Sequence, residues 1–168
     1  PRGRAAAHPC RATPSSTKLI QPDQGDALVG NVTAGVATAV AKAAKESNTL
    51  LIVPNAGAEA ITGPMCAPNI VRSSFSNWQP GYAMGVVAGQ KGVKRAMTIT
   101  WAYAAGNESV KGFAEGLEKG GGKVGKELPL PFLPVHPHAL LTRSARPKPD
   151  ARYPASAARA PCQVCADS

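Results

Sequence analysis

Three short stretches hold what chemistry this chain offers: Asn31-Val32-Thr33-Ala34-Gly35, Asn55-Ala56-Gly57-Ala58, and Trp101 through Gly106. Each follows a short apolar run. Their residues are mostly small and polar, so backbone amides can come close to a carboxylate or carbonyl. Strand ends and helix N-termini favour that kind of negative group. Trp101 and Tyr103 are the bulky exceptions and suit the wall of a pocket. The same residues would equally serve as plain connections between strand and helix.

Catalytic groups are scarce. His8, His136 and His138 all lie toward the ends, so the middle of the chain has no imidazole base. No GxSxG elbow, GxGxxG fingerprint or GxxxxGK[ST] loop is present. Asp26 and Glu59 are single carboxylates without an evident partner, and Cys66 has no companion histidine and reads as a buried structural thiol. Cys162 and Cys165 form a lone CxxC. Zinc would need a second pair of ligands, and a redox motif would open a helix after a strand. The expectation is therefore a binder and not an enzyme, with no metal and no cofactor.

The 168 residues suffice for one domain with a real core. No apolar run reaches membrane-spanning length, and no charged-then-apolar leader opens the sequence. The net charge of +9 points toward nucleic acid, but its placement does not. Residues 1–17 hold three Arg and no acid, and residues 131–168 hold five Lys or Arg against two Asp. The central part is almost balanced. The basic flanks are poor in aromatics on which bases would stack, so the expectation is that nucleic acid is not a partner.

The elements that must position the three turns follow from periodicity. Asp26–Gly30 and Leu50–Val53 are short apolar runs that read as buried parallel strands. Between them Val36, Val40, Ala41 and Ala44 mark one face of a helix, with Thr33 as N-cap and Asn48 at its close. This order implies a right-handed parallel crossover. After Pro54-Asn55-Ala56-Gly57 the chain lacks helical periodicity until a second short run at Asn69–Arg72. Trp78–Gln90 reads as a helix capped by Ser76 or Asn77, with Tyr82, Met84, Val86 and Val87 as its apolar side. Val93–Thr100 reads as a strand, Glu108–Lys119 as a helix capped by Asn107, and Lys123–Leu128 as a weaker strand. Residues 1–17 and 131–168 show neither period and read as irregular, apart from a helix-like fragment at Ala139–Thr142.

The series DALVGNVTAGVATAVAKAAKESNTLLIVPNAGAEAITGPMCAPNIVRSSFSNWQPGYAMG, followed by AMTITWAYAAGNESVKGFAEGLEKGGGKV, resembles the type I periplasmic binding proteins. More narrowly it resembles the leucine/isoleucine/valine-binding family of ABC importers, which includes members for aromatic acids and amides. The resemblance covers residues 18–130. It implies an α/β fold of parallel, doubly wound sheets in two Rossmann-like lobes, with a small solute held in the cleft between them by hinge closure. Residues 18–68 would end the first lobe, 69–75 would cross between lobes, and 76–130 would start the second.

By the same resemblance, Thr33, Ala34 and Gly35, with Asn55, Ala56 and Gly57, would hold the solute's carboxylate. Trp101, Tyr103 and Ala105 would close over it from the second lobe, and Arg72, Ser73, Ser74 and Phe75 would form the hinge. A permease would be the protein partner, and the periplasm the location. Rival readings are a ligand-sensing regulator of the same fold and a small doubly wound enzyme. The sequence departs from the family in places. A Ser commonly stands where Ala34 does, and the early first-lobe and late second-lobe strands are absent. With the latter goes the acidic residue that often meets a substrate ammonium. The chain therefore reads as a fragment whose flanks have the texture of out-of-frame translation of a GC-rich gene.

Overall fold

The computed structural model describes residues 9–21, 23–130 and 149–155. The chain forms two compact units that meet in sequence between Ser76 and Asn77.

The first unit runs α1 (Pro9–Ile20), β1 (Ala27–Val29), α2 (Ala34–Ser47), β2 (Leu50–Val53), α3 (Glu59–Thr62) and β3 (Ile70–Arg72). The strands form one parallel sheet in the order β1-β2-β3. Register places Leu28 beside Leu51, and Leu51 beside Ile70. These residues and Val53 are buried on one face, while Val29, Leu50 and Val71 are exposed on the other. The expected stripe of α2 is buried, extended by Ala34 and Ala37. Each fully buried Val or Leu here contributes about 1.5–3 kcal/mol relative to exposure. Asn48 ends α2 in the left-handed region at φ 53°, which Asn tolerates well. The Asn69 side-chain amide donates to the carbonyls of Ala44 at 2.9 Å and Thr49 at 2.7 Å, tying the end of α2 to the start of β3.

Three expectations change in this unit, the first being Cys66, which reads as a buried thiol but is exposed. Residues 9–17 were read as irregular but lie in α1, which packs against α2 and buries Ser16. Pro9 occupies the first helical position, where a missing amide costs nothing. Tertiary packing outweighs the poor propensity of Pro14 inside the helix. The stretch after Gly57, read as non-helical, contains the single turn α3, whose Ile61 is buried. Four residues are too few for a helical period to show.

The second unit runs α4 (Trp78–Gln90), β4 (Arg95–Trp101), α5 (Ala104–Lys119), β5 (Lys123–Leu130) and β6 (Ala151–Ala155). Its sheet is parallel, in the order β5-β4-β6. Val110, Phe113 and Leu117 of α5 are buried, and Phe113 and Leu117 share a cluster with Ala96 of β4. Phe113 stacks on Tyr153 at 4.2 Å between ring centroids, which brings β6 into the same core.

The helix pair α4 and α5 is held differently from the expectation. The buried face of α4 is Gly81, Gly85 and Gly89, with Met84 and Val87 exposed. Facing it are Gly112, Gly116 and Gly120. Glycine at every fourth position removes the side-chain ridge and lets the two backbones touch. Around this seam Trp78 stacks on Tyr82 at 4.5 Å, and the indole Nε1 donates to Glu115 at 2.8 Å. Asn77 stands at the N-cap of α4 but makes no side-chain capping bond. It has helical backbone angles, and its side-chain amide donates to Glu108 at 2.7 Å.

Strand β6 corrects the reading of residues 131–168 as irregular apart from a helix-like fragment at Ala139–Thr142. It pairs with β4 from Ala96↔Ala151 to Thr100↔Ala155. The Asp150 carboxylate accepts the amides of Lys94 at 3.2 Å and Arg95 at 3.0 Å, fixing the register at the strand's start. Pro154 hid the strand in the sequence; it has no ladder donor, and β6 has one partner among the described strands. The fragment Ala139–Thr142 lies outside the described residues.

Candidate functional site

In the first unit, two of the predicted turns lie side by side at the carboxyl ends of β1 and β2. The Gly30 amide donates to the Ile52 carbonyl at 3.0 Å, and the Ala56 amide to the Asn31 carbonyl at 3.2 Å. Asn31 can present its carbonyl this way because its backbone sits at φ 80°. Thr33, Ala34, Gly35, Asn55, Ala56 and Gly57 are thus brought to one edge of the sheet. Thr33, Gly35 and Asn55 are exposed there, while Ala34, Ala56 and Gly57 are buried. Ala56 joins the two turns through its amide, so its own N–H is committed to Asn31.

Helix α2 begins directly at this edge. Thr33 is its N-cap, with extended backbone at φ −94° and ψ 140°, but its hydroxyl makes no capping hydrogen bond. A helix of 14 residues therefore presents its positive end without a capping bond from its own N-cap side chain. The first-turn amides and the Thr33 hydroxyl can donate to a carboxylate placed there.

In the second unit, the turn after β4 is shorter than the sequence suggested. The helix α5 starts at Ala104, one turn before the expected Asn107 cap, so Ala105 belongs to its first turn. Gly106 makes this possible. A Cβ there would meet the Thr100 side chain and the Trp101 carbonyl, and glycine lets the helix begin against the strand end. Tyr103 is the N-cap, again with no side-chain capping bond, and its amide donates to the Trp101 carbonyl at 2.8 Å. Burial, and after it the nearby Glu108 carboxylate, raises the Tyr103 phenol above its ordinary pKa. Like any phenol well below its pKa, the hydroxyl keeps its proton at neutral pH and remains a donor. Trp101, Tyr103 and Ala105 are all partly accessible.

The residues expected to form the hinge leave β3 in close contact with the turn after β2. The Arg72 guanidinium donates to the Ala58 carbonyl at 2.9 Å, the Ser73 amide to Val53 at 3.1 Å, and the Ser74 hydroxyl to Asn55 at 3.1 Å. Phe75 is 61% exposed. These ties, and the role of Asn31, escaped the sequence reading. The only signal for Asn31 was its tolerance of positive φ. A groove of about 360 Å³ on the flank of α5 and β5, lined in part by Lys111, Glu115, Glu118 and Glu127, includes none of the predicted residues. No cluster of His, Cys, Asp or Glu among the described residues could hold a metal ion, and none of their helices is long and apolar enough to cross a membrane.

Comparison with known proteins places this geometry in a family. A family model described as periplasmic binding protein matches residues 6–161, a span that reaches into both basic flanks. Leu/Ile/Val-binding protein homolog 6 of Brucella abortus is 27% identical over 126 residues, covering 75% of this chain and 32% of the relative. Among solved structures, an ABC-transporter solute-binding protein from R. palustris in complex with benzoate is 45% identical, with a TM-score of 0.82. That match covers 88% of this chain and 41% of the other. A solute-binding protein from Rhodopseudomonas palustris BisB5, in complex with 3,4-dihydroxy benzoic acid, is 31% identical at a TM-score of 0.81, covering 89% and 41%. The chain spans about a third of the length of the curated relatives and about two fifths of these solved ones.

Proposed function

The chain belongs to the periplasmic binding protein family, and from that premise we propose that it supplies part of the solute-binding component of an ABC importer. Its solute is a small carboxylate, with an aromatic acid favoured over a branched-chain amino acid. The observation that carries this reading is the N-terminus of α2, where Thr33 leaves its own helix uncapped beside the turn of Asn55–Gly57. A carboxylate bound there exchanges water for charge-assisted bonds from amides and a hydroxyl. The solved relative at 45% identity holds benzoate, which has such a carboxylate and an apolar ring.

In the whole protein, Trp101, Tyr103 and Ala105 would meet the ring from the second lobe, and Arg72–Phe75 would act as the hinge. Nothing in the proposed site carries out a reaction: the solute is bound and released to a permease from the periplasmic side. Calorimetric titration of the chain with benzoate, benzamide and leucine tests the reading. Benzoate is expected to bind at least about tenfold more tightly than benzamide, which has the same ring without the charge. It should be recovered unchanged. Equal affinity for the two would overturn the role of the helix end, and a preference for leucine would overturn the aromatic assignment.

A further inference from the structure

Three consecutive residues at the end of β3 grip one loop, and they do so at both of its ends and in its middle. The Ser73 amide holds the carbonyl of Val53, where the loop leaves β2. The Ser74 hydroxyl reaches the Asn55 carbonyl inside it at 3.1 Å, with the Phe75 carbonyl as a second acceptor at 3.3 Å, and the Arg72 guanidinium holds Ala58 at its far end. Two of the three donors are side chains, so ordinary strand pairing does not account for them. The loop passes the constraint on, because the Ala56 amide donates to Asn31 in the neighbouring turn. A chain of hydrogen bonds and covalent links thus runs from the segment leaving the first unit to Asn31, in the turn that leads into α2.

We propose that Arg72 and Ser74 are positioning residues that lock the turn Asn55–Ala58 to the segment leaving β3, so that this turn and the pivot move as one body. The pivot's role rests on the function proposed above; the lock itself stands on contacts within one unit. Its consequence is that backbone rotation during closure must fall after Ser74 and not within the strand end. The amides that face the solute then keep their geometry whether the protein is open or closed.

Hydrogen exchange on the full chain, read amide by amide without solute, tests the lock directly. In the Arg72→Met, Ser74→Ala double variant the Ala56 amide should exchange at least about thirtyfold faster, the loss expected for a charge-assisted and a neutral bond together. The amides of α2 and β2 should keep their protection. Ser74→Thr, which retains the hydroxyl, should restore most of the loss attributable to Ser74→Ala. Unchanged exchange at Ala56 would overturn the proposal. Acceleration spread evenly over α2 and β2 would also overturn it, since that describes general loosening. Benzoate titration of the same variants is a separate arm. If benzoate fails to bind even the unaltered chain, the proposed solute falls, while the exchange result still decides the lock.

Discussion

Gly85 of α4 and Gly116 of α5 are in backbone contact: a Cβ on Gly85 would stand 3.0 Å from the Gly116 Cα and 2.8 Å from the amide nitrogen of Leu117. Neither atom can yield, because both belong to helix backbone. Gly85→Ala is therefore expected to push the helices apart and cost about 1–3 kcal/mol. Met84→Ala, one residue away on the exposed side, should change stability by no more than about 0.5 kcal/mol. Urea denaturation of the two variants checks the contrast. Similar losses for both would mean that the glycine seam is not what holds the pair.

Thr98 lies wholly buried in the middle of β4, and its hydroxyl has no hydrogen-bond partner among the described residues. A buried hydroxyl without a partner is a standing cost. Thr98→Val keeps the branched shape and removes the orphaned group, and should stabilise the second unit by about 1 kcal/mol. Thermal unfolding reads this. A loss of stability would reveal a partner for that hydroxyl.

The sheet of the first unit and its helix α2 were legible in the sequence because their signals are apolar side chains at regular spacing, whereas α1 and α3 lack such a period. Val36, Val40 and Ala44 mark the buried stripe of α2, and Leu51 and Val53 mark its strand. The glycine seam was missed for the opposite reason. A search for bulky apolar residues on α4 finds Met84 and Val87, which the structure leaves exposed. Burial there is specified by the absence of side chains, which a hydrophobic period does not record. Asn107 was a reasonable cap by type, but Gly106 allowed the helix to start a turn sooner. Strand β6 was hidden by Pro154 and by its distance from β4 in the chain. Of the site, the types and the turns were readable. The bonds from Arg72 and Ser74 to the loop were not, because they depend on two strand ends meeting in space.

The Tyr103 phenol should leave a mark on stability at high pH. Burial and Glu108 raise its pKa above the ordinary value of 10.0. Below that value both folded and unfolded chains hold the proton, and Tyr103 adds no pH dependence. As the pH rises past it, the unfolded chain loses its proton first, and stability falls until the folded phenol also ionises. Comparing the chain with Tyr103→Phe between pH 8 and pH 11 isolates this part. The variant should lose less stability over that interval, and equal losses would mean that the phenol is unperturbed.

The most direct test of the account places a carboxylate permanently at the N-terminus of α2. Thr33→Asp supplies the cap that Thr33 does not, and with it a negative charge at the positive end of the helix. If that helix end receives the solute's carboxylate, the substitution must act in opposite directions on two quantities measured on one sample. Stability should rise by about 0.5–1 kcal/mol, while benzoate affinity should fall by more than about tenfold through competition and repulsion. A stabilised variant that binds benzoate as well as the unaltered chain would contradict the account.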